Sequence, residues 1–243
     1  MRRLGLVVAL VAAAASCTTS GADRDPVAPG PVGDAIVYVA IGASETAGVG
    51  TREPFRDAWP KVLWREALSD AVLYDFGVPG STVAQALQEQ VPEAVAADPD
   101  VATVWLNVND LVDLVPVDRY ESSLDRVVGQ LRDAGAEVYV ANAPVLTSLP
   151  LYLACLPDPP AGATTCPIDR TLSPPDVVER ATLDYNAAIA RVAERHGATV
   201  VDLHALGDLA GSDPAFVSED GFHPSTEGAE RIADLFASAI SKA

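Results

Sequence analysis

Five short apolar runs alternate with segments of helical periodicity, and this alternation restricts the fold more than any other feature of the chain. The runs cover 36–41, 71–76, 101–106, 136–141 and 198–203; the first is rich in β-branched residues, and the third is continuously apolar. Continuous apolar strands of this kind are typical of parallel sheets that are buried on both faces. The pattern therefore predicts an α/β fold in which helices cover both faces of a five-stranded parallel sheet, with right-handed crossovers, as a three-layer α/β/α arrangement of the flavodoxin-like type.

The segments between the runs carry apolar residues at helical spacing. They predict helices over 57–69, 81–97, 118–134, 175–196 and 224–241. One long segment, 142–174, has no clear period. A segment of this length inside a compact domain is more often functional than idle. We expect it to form one wall of a substrate cleft, and a disulfide-closed surface excursion is the alternative.

The first residues resemble a bacterial lipoprotein signal. Arg2 and Arg3 precede an apolar run over 4–15 that is too short to span a bilayer, and small residues then lead into Cys17. The resemblance implies a signal peptide over 1–16 and lipidation of Cys17. The protein is then expected to be exported and anchored to the outside of the bacterial membrane. Ordinary signal cleavage near Ala15, which leaves Cys17 as a free thiol, is the alternative.

The residues after Cys17 divide into a tether and one domain. Residues 17–33 are rich in Thr, Ser, Gly, Asp and Pro, which is typical of a flexible tether. Residues 34–243 are long enough for one α/β domain and show no internal repeat. We expect this domain to be a monomer. The formal net charge of −18 disfavours nucleic acid and anionic membrane surfaces as partners.

The chain contains three cysteines, an odd number that calls for an explanation in an exported protein. If Cys17 carries lipid, Cys155 and Cys166 remain as a pair within one proline-rich segment. An oxidising compartment would allow them to form a disulfide. Two unpaired thiols are the alternative. A metal pair is disfavoured, because no third or fourth ligand with suitable spacing is nearby.

Polar residues follow several of the predicted strands where each strand ends. Ser44 comes directly after the first strand, on a glycine-rich turn. The carboxyl ends of parallel strands share one edge of the sheet, which is where open α/β folds bind their ligands. Alone, a serine at this point is more often a turn residue or a helix cap.

A histidine with a nearby acid precedes the last helix. Asp220 and His223 are three residues apart on a non-helical turn, so that the carboxylate can hold one imidazole nitrogen and leave the other free to accept a proton. His204, after the fifth strand, is the rival candidate. His196 lies at a helix end, where a cation is favoured by the helix dipole.

Two further strand ends offer hydrogen-bond donors. Asn109 follows the third strand and can point its side-chain amide at a developing oxyanion, and Gly80 follows the second strand and can expose its backbone N–H to the same point. Each of these residues alone is also compatible with an ordinary turn.

Together, the four strand-end motifs resemble the SGNH hydrolase family of GDSL-like esterases and lipases over most of residues 36–243. The family block Gly-Asp-Ser-x-Thr-x-Gly appears as GASETAG at 42–48. The glycine block appears at 77–82, the Gly-x-Asn-Asp block as NVND at 107–110, and the Asp-x-x-His-Pro block as DGFHP at 220–224. The resemblance implies a serine hydrolase that needs no metal or organic cofactor.

By the same resemblance, Ser44 is the nucleophile, His223 the general base and Asp220 the residue that orients it. The oxyanion hole is formed by the backbone N–H groups of Ser44 and Gly80 and by the Asn109 amide. The expected substrate is a small-molecule, glycan or lipid ester. Two alternatives remain open, an acyltransferase that acts on an envelope glycan or lipid, and a non-catalytic binding lipoprotein.

Two positions depart from the family pattern. Ala43 stands where the family has aspartate, and removes a carboxylate that would brace the nucleophile turn. Asn107 stands where the family has glycine, and adds bulk or a further donor near the oxyanion site.

Overall fold

The computed structural model describes residues 35–163, 165–167, 172–207 and 213–242. The expected signal peptide over 1–16, the lipidation site Cys17 and the tether over 17–33 lie outside the described residues.

The sheet contains five parallel strands, as the apolar runs predict. The strands are β1 (Val37–Gly42), β2 (Val72–Asp75), β3 (Val101–Trp105), β4 (Glu137–Ala141) and β5 (Thr199–Val201). Their order across the sheet is β2-β1-β3-β4-β5, and every neighbouring pair is parallel. β1 and β3 therefore lie at the centre, and their carboxyl ends meet at one edge.

Nine α-helices fall within the described residues. They are α1 (Pro54–Asp57), α2 (Trp59–Ala67), α3 (Val83–Glu89), α4 (Val91–Ala96), α5 (Val108–Val112), α6 (Val117–Asp133), α7 (Pro150–Ala154), α8 (Pro175–His196) and α9 (Thr226–Ile240). Two short 3₁₀ turns, His204–Leu206 and Pro214–Phe216, follow β5. No helix in the described part of the chain is both long and apolar enough to span a bilayer.

Two apolar clusters lie on opposite faces of the sheet. Alternate residues of β1 point to opposite sides, so Val39 and Ile41 join a cluster with α3, α4, α6 and α8, whereas Tyr38 packs in a second cluster with α2 and α9. In the second cluster the ring of Trp59 stacks on Phe236 with centroids 4.3 Å apart. This is the predicted three-layer α/β/α arrangement.

One predicted helix is divided at a proline, and another begins two residues later than predicted. The segment predicted as one helix over 81–97 forms α3 and α4 with a break at Gln90, and Pro92 lies in the first turn of α4. Proline lacks an N–H and clashes with the carbonyl four residues earlier, so it is accepted at a helix start but not in an interior. The helix predicted over 57–69 is α2, which begins at Trp59 with Pro60 in its first turn. The extended Ala58 separates it from α1.

The segment over 142–174 contains the short helix α7, which the sequence pattern does not indicate. Pro150 at its first position accounts for where it begins. The predicted disulfide between Cys155 and Cys166 is formed. It ties the end of α7 to the chain that leads towards α8.

Candidate active site

Ser44 lies on a tight turn at the carboxyl end of β1 and is only 7% exposed. The backbone N–H of Ala47 donates to the carbonyl of Ala43 at 3.0 Å, and that of Val49 donates to the carbonyl of Ser44 at 2.9 Å. The turn therefore fixes the serine at the central edge of the sheet, between the ends of β2 and β3.

The buried side chain of Gln90 braces this turn. Its Oε1 accepts from the backbone N–H of Gly42 at 3.1 Å, and its Nε2 donates to the carbonyl of the same residue at 3.0 Å. Nε2 also donates to the hydroxyl of Ser81 at 3.1 Å. One amide thus joins the end of β1 to the loop after β2, and it lies at the break between α3 and α4.

Replacing Gln90 by methionine is expected to destabilise the protein. The two backbone groups of Gly42 would stay buried without partners, at about 1–3 kcal/mol for each group. We expect urea unfolding to show a lower free energy of unfolding by that amount. Gln88→Met is the matched control, because Gln88 is exposed on α3; equal unfolding midpoints in the two variants would contradict the bracing role.

Asp220 and His223 form a compact turn before α9. The Nδ1 atom of His223 lies 2.6 Å from Oδ2 of Asp220. The other carboxylate oxygen accepts hydrogen bonds from the backbone N–H groups of Phe222 and His223 at 2.8 and 2.9 Å and from the hydroxyl of Ser218 at 2.7 Å. The turn therefore orients the imidazole by one of its two nitrogens.

These hydrogen bonds also decide the charge of Asp220. Burial alone would raise the pKa of this carboxyl, but the bonds from His223, Phe222 and Ser218 outweigh it and lower the pKa to about 2. Asp220 is thus ionised at neutral pH and is able to stabilise a positive charge on His223.

Two glycines fix the position of this turn. A Cβ atom at Gly50 would lie 2.7 Å from Cβ of His223, so the nucleophile turn and the histidine turn touch at a point where only glycine fits. Gly221 has a φ of +74°, and its carbonyl accepts from the N–H of Leu151 at the start of α7. The segment over 142–174 therefore packs directly on the Asp220–His223 turn.

The two remaining candidates also meet. The Nδ2 atom of Asn109 donates to the carbonyl of Ser81 at 3.0 Å, which places it beside the loop that carries Gly80. Gly80 has a φ of +82°, and the space beside its Cα is open. A primary amide has two N–H groups, so Asn109 retains one for another acceptor.

The neighbouring Asp110 holds the same loop from the other side. Its Oδ2 accepts from the backbone N–H of Val83, the first residue of α3, at 2.9 Å. Burial raises the pKa of Asp110 to about 6 in spite of this bond. The stretch from Ser81 to Val83, which follows Gly80, is therefore held by Gln90, Asn109 and Asp110 together.

The two departures from the family pattern have simple structural consequences. Ala43 is buried and packs in the cluster with α3 and α4, while Gln90 braces the turn instead of a carboxylate. Asn107 is buried, and its amide donates to the carbonyl of Ala141 at the end of β4 at 3.1 Å. Asn107 thus joins β3 to β4.

The two other histidines are engaged elsewhere. His204 lies with Nδ1 3.1 Å from the carbonyl of Ala143, and its backbone N–H donates to Asn142. His196 lies with Nε2 2.9 Å from Asp125 at the end of α8. Neither has the contact with a nucleophile turn that His223 makes through Gly50.

One neighbour of the serine, Glu45, is not among the residues that the sequence motifs indicate. The hydroxyl of Ser44 donates to Oε2 of Glu45 at 3.3 Å. Among the described residues, no hydrogen bond joins Ser44 to His223. Contacts between a nucleophile and its base are often long without substrate and tighten when substrate binds. Glu45 and Gln90 are the site residues that the sequence motifs did not indicate. Each is a polar side chain that is buried in the structure. Burial would have identified them, but it cannot be recognised from the sequence alone.

A cavity of about 50 Å³ opens beside Glu45. Apart from this glutamate, its walls are almost entirely apolar and come from the end of β3, the segment before α7, the histidine turn and α9, as represented by Trp105, Leu146, Leu149, Phe222 and Ile232. The segment over 142–174 thus contributes to a cleft wall, as expected. The described residues contain no group of three or more histidine, cysteine or acidic side chains that are placed to hold a metal ion.

Among curated proteins, the chain is similar to an acetylxylan esterase of Xylanibacter ruminicola. The two are 27% identical over 226 residues, which cover 87% of this chain and 44% of that protein. The chain thus spans less than half the length of this relative.

Among solved structures, the fold is similar to three enzymes of low sequence identity. Esterase EstA from Pseudoalteromonas sp. superposes with a TM-score of 0.63 at 19% identity. The match covers 85% of this chain and 97% of the EstA chain. The acetyl xylan esterase AlAXEase gives 0.62 at 16% identity, with 84% and 100% covered. A lipase/acylhydrolase from Enterococcus faecalis gives 0.65 at 19% identity, with 85% and 96% covered. These likenesses establish the shared fold.

The family assignment rests on a match over most of the chain. Residues 40–231 match the family model described as GDSL-like Lipase/Acylhydrolase. This range includes the turn of Ser44, the loop of Gly80, the helix of Asn109 and the turn of His223. The chain belongs to the GDSL-like lipase/acylhydrolase family.

Proposed function

We propose that this protein hydrolyses carboxylic esters through an acyl-enzyme formed on Ser44. The observation that carries the proposal is the His223 imidazole, held 2.6 Å from the Asp220 carboxylate on a turn that touches the nucleophile turn at Gly50. A serine, a histidine and an orienting carboxylate on neighbouring loops are the groups that acyl transfer requires.

In the proposed reaction, His223 accepts the proton of Ser44 through Nε2 as the serine oxygen attacks the ester carbonyl. The Asp220 carboxylate accepts a hydrogen bond from Nδ1–H of His223, so that this proton stays on Nδ1, and it stabilises the imidazolium. His223 then returns a proton to the departing alcohol, and water releases the acyl group by the reverse sequence.

The negative oxygen of the tetrahedral intermediate needs donors that are already in position. The proposed donors are the backbone N–H groups of Ser44 and Gly80 and the free N–H of Asn109. The bonds of the Gly80 loop to Asn109 and Gln90 support this assignment, because they fix the loop before substrate arrives. Preorganised donors of this kind often contribute more to the rate of acyl transfer than any other single effect.

We further propose acetylated carbohydrate as the substrate class. The similarity to an acetylxylan esterase supports a short acyl group on a sugar.

The test compares acyl length and alcohol in one series. Hydrolysis of p-nitrophenyl esters from acetate to decanoate is measured beside acetate release from acetylated xylan. We expect turnover to be highest with acetate and to fall with chain length, and acetate to be released from the polymer. Faster turnover of decanoate than of acetate would contradict the short-chain assignment.

Transfer of the acyl group to a sugar, instead of to water, uses the same residues and is the second candidate. Analysis of the products in the presence of a sugar acceptor distinguishes the two, because transfer yields a new sugar ester in place of free acetate. A binding protein without catalysis is the third candidate; the presence of Ser44, Asp220 and His223 together argues against it.

Export and anchoring through Cys17 also belong to the proposal. The basic first residues, the short apolar run and the small residues before Cys17 support it. We expect the full chain, expressed in a bacterium, to incorporate labelled palmitate and to fractionate with membranes. Equal labelling of Cys17→Ser would show that Cys17 is not the lipidated residue.

A further inference from the structure

Glu45 is a buried carboxyl group that the proposed reaction does not use. It follows Ser44 directly and is only 8% exposed. In the described part of the chain it forms no ion pair with lysine or arginine. Removing a carboxylate from water without a cationic partner is costly, so a folded protein that keeps one at this point calls for a functional explanation.

The surroundings of Glu45 point to the reacting groups. Its Oε2 accepts the hydroxyl of Ser44 at 3.3 Å. The charged groups whose fields reach it are His223 and Asp220, both from the turn before α9. The other side of Glu45 faces the apolar cavity, where Trp105 and Phe222 are among the neighbours.

The pKa of Glu45 is raised above its ordinary value, and burial is the largest cause. The negative charge of Asp220 acts in the same direction. The backbone N–H of Glu45, the positive form of His223 and the hydroxyl of Ser44 oppose this shift, because each favours the carboxylate. The groups of the proposed reaction therefore act on the charge of Glu45.

On the basis of the function proposed above, we propose that Glu45 is a further catalytic residue. In the free enzyme its carboxyl group accepts the hydroxyl of Ser44. During attack the ionised form of this group favours the imidazolium that His223 becomes when it accepts the proton of Ser44. The proton passes from Ser44 to His223, and Glu45 neither gains nor loses one in this step.

This role makes a specific prediction for Glu45→Gln. Glutamine keeps the shape and one acceptor oxygen for Ser44 but carries no charge. With the charge removed, the imidazolium is less favoured in the transition state, and we expect kcat/KM at pH 7 to fall about tenfold. For the same reason the acid limb of kcat/KM is expected to move to lower pH by about 0.5–1 pH unit.

The experiment is a profile of kcat/KM from pH 4.5 to 8.5 with p-nitrophenyl acetate. It compares the wild type, Glu45→Gln and Glu66→Gln, where Glu66 is an exposed glutamate on α2 that serves as the control. Thermal unfolding of the same proteins shows whether each is folded. A lower midpoint in Glu45→Gln alone supports the proposal.

If the acid limb of kcat/KM has the same midpoint in Glu45→Gln as in the wild type, the proposal is wrong. This holds even if the variant is less stable, because a purely structural role lowers stability and leaves the midpoint unchanged. This failure is distinct from failure of the proposed function. If Ser44→Ala is inactive while Glu45→Gln keeps the wild-type profile, only the role of Glu45 is lost. If Ser44→Ala stays active, the function itself is wrong.

Discussion

Replacing Ser44 by alanine is expected to lower kcat for ester hydrolysis by a factor on the order of 10⁴–10⁶. The substitution removes the only atom that can form the proposed acyl-enzyme. Any remaining rate would come from water positioned by the oxyanion donors, which act without the serine oxygen. The measurement is acetate release from p-nitrophenyl acetate under saturating conditions.

The fold of this variant should remain intact. Ser44 donates one hydrogen bond, to Glu45, and its loss is worth about 1 kcal/mol. Ser238→Ala, on the exposed side of α9, is the matched control and should retain wild-type kcat. A Ser44→Ala protein with kcat within tenfold of the wild type would place the chemistry elsewhere.

The second large effect is expected for Asp220→Asn, with a decrease in kcat on the order of 10³–10⁴-fold. Asparagine can still accept from Phe222 and His223 through one oxygen. Its amide group would, however, donate to Nδ1 of His223, where the carboxylate accepts. The imidazole would then carry its proton on Nε2, the nitrogen that has to accept the proton of Ser44.

The same variant should behave differently in acid. In the wild type the pKa of Asp220 is lowered from 3.8 to about 2 on folding, so its carboxylate stabilises the native state above about pH 4. This contribution is lost as the pH falls from about 4 to 2. Unfolding of Asp220→Asn should lack this part of the acid dependence, whereas Asp234→Asn, an exposed control on α9, should keep it. Identical acid unfolding of all three proteins would contradict the shift.

The sheet could be predicted from the sequence because buried parallel strands have a strong local signal. Each apolar run is long enough to recognise and is separated from the next by a helical period. The positions of Ser44, Gly80, Asn109 and His223 at one edge then follow from the rule that parallel strands end on the same side.

The helix boundaries were harder to predict, and proline explains why. The apolar spacing over 81–97 fits one helix, and Pro92 appears as an exception within it. In the structure this proline starts α4, and the break that it makes allows Gln90 to turn towards Gly42. The spacing of apolar residues identifies the buried face of a helix, but it does not show that the helix is interrupted at Gln90.

The supporting residues of the site, Gln90 and Glu45, could not be predicted from the sequence for a different reason. Gln90 is 48 residues from Gly42 along the chain, so no local pattern connects the two. Glu45 occupies a position of the family motif at which any residue is allowed. Their importance depends on tertiary contacts, namely two bonds to one peptide group and a bond to Ser44. Local sequence patterns describe neighbours along the chain, and they do not report which polar group is buried beside which.

The central claim, that Ser44 is the nucleophile, is tested most directly by mass spectrometry after reaction with a fluorophosphonate. The reagent forms a stable adduct with an activated serine. We predict one adduct per chain, on the peptide that contains Ser44, with no adduct in Ser44→Ala and much slower labelling in Asp220→Asn. An adduct on another residue, or active enzyme that remains unlabelled, would contradict the serine mechanism.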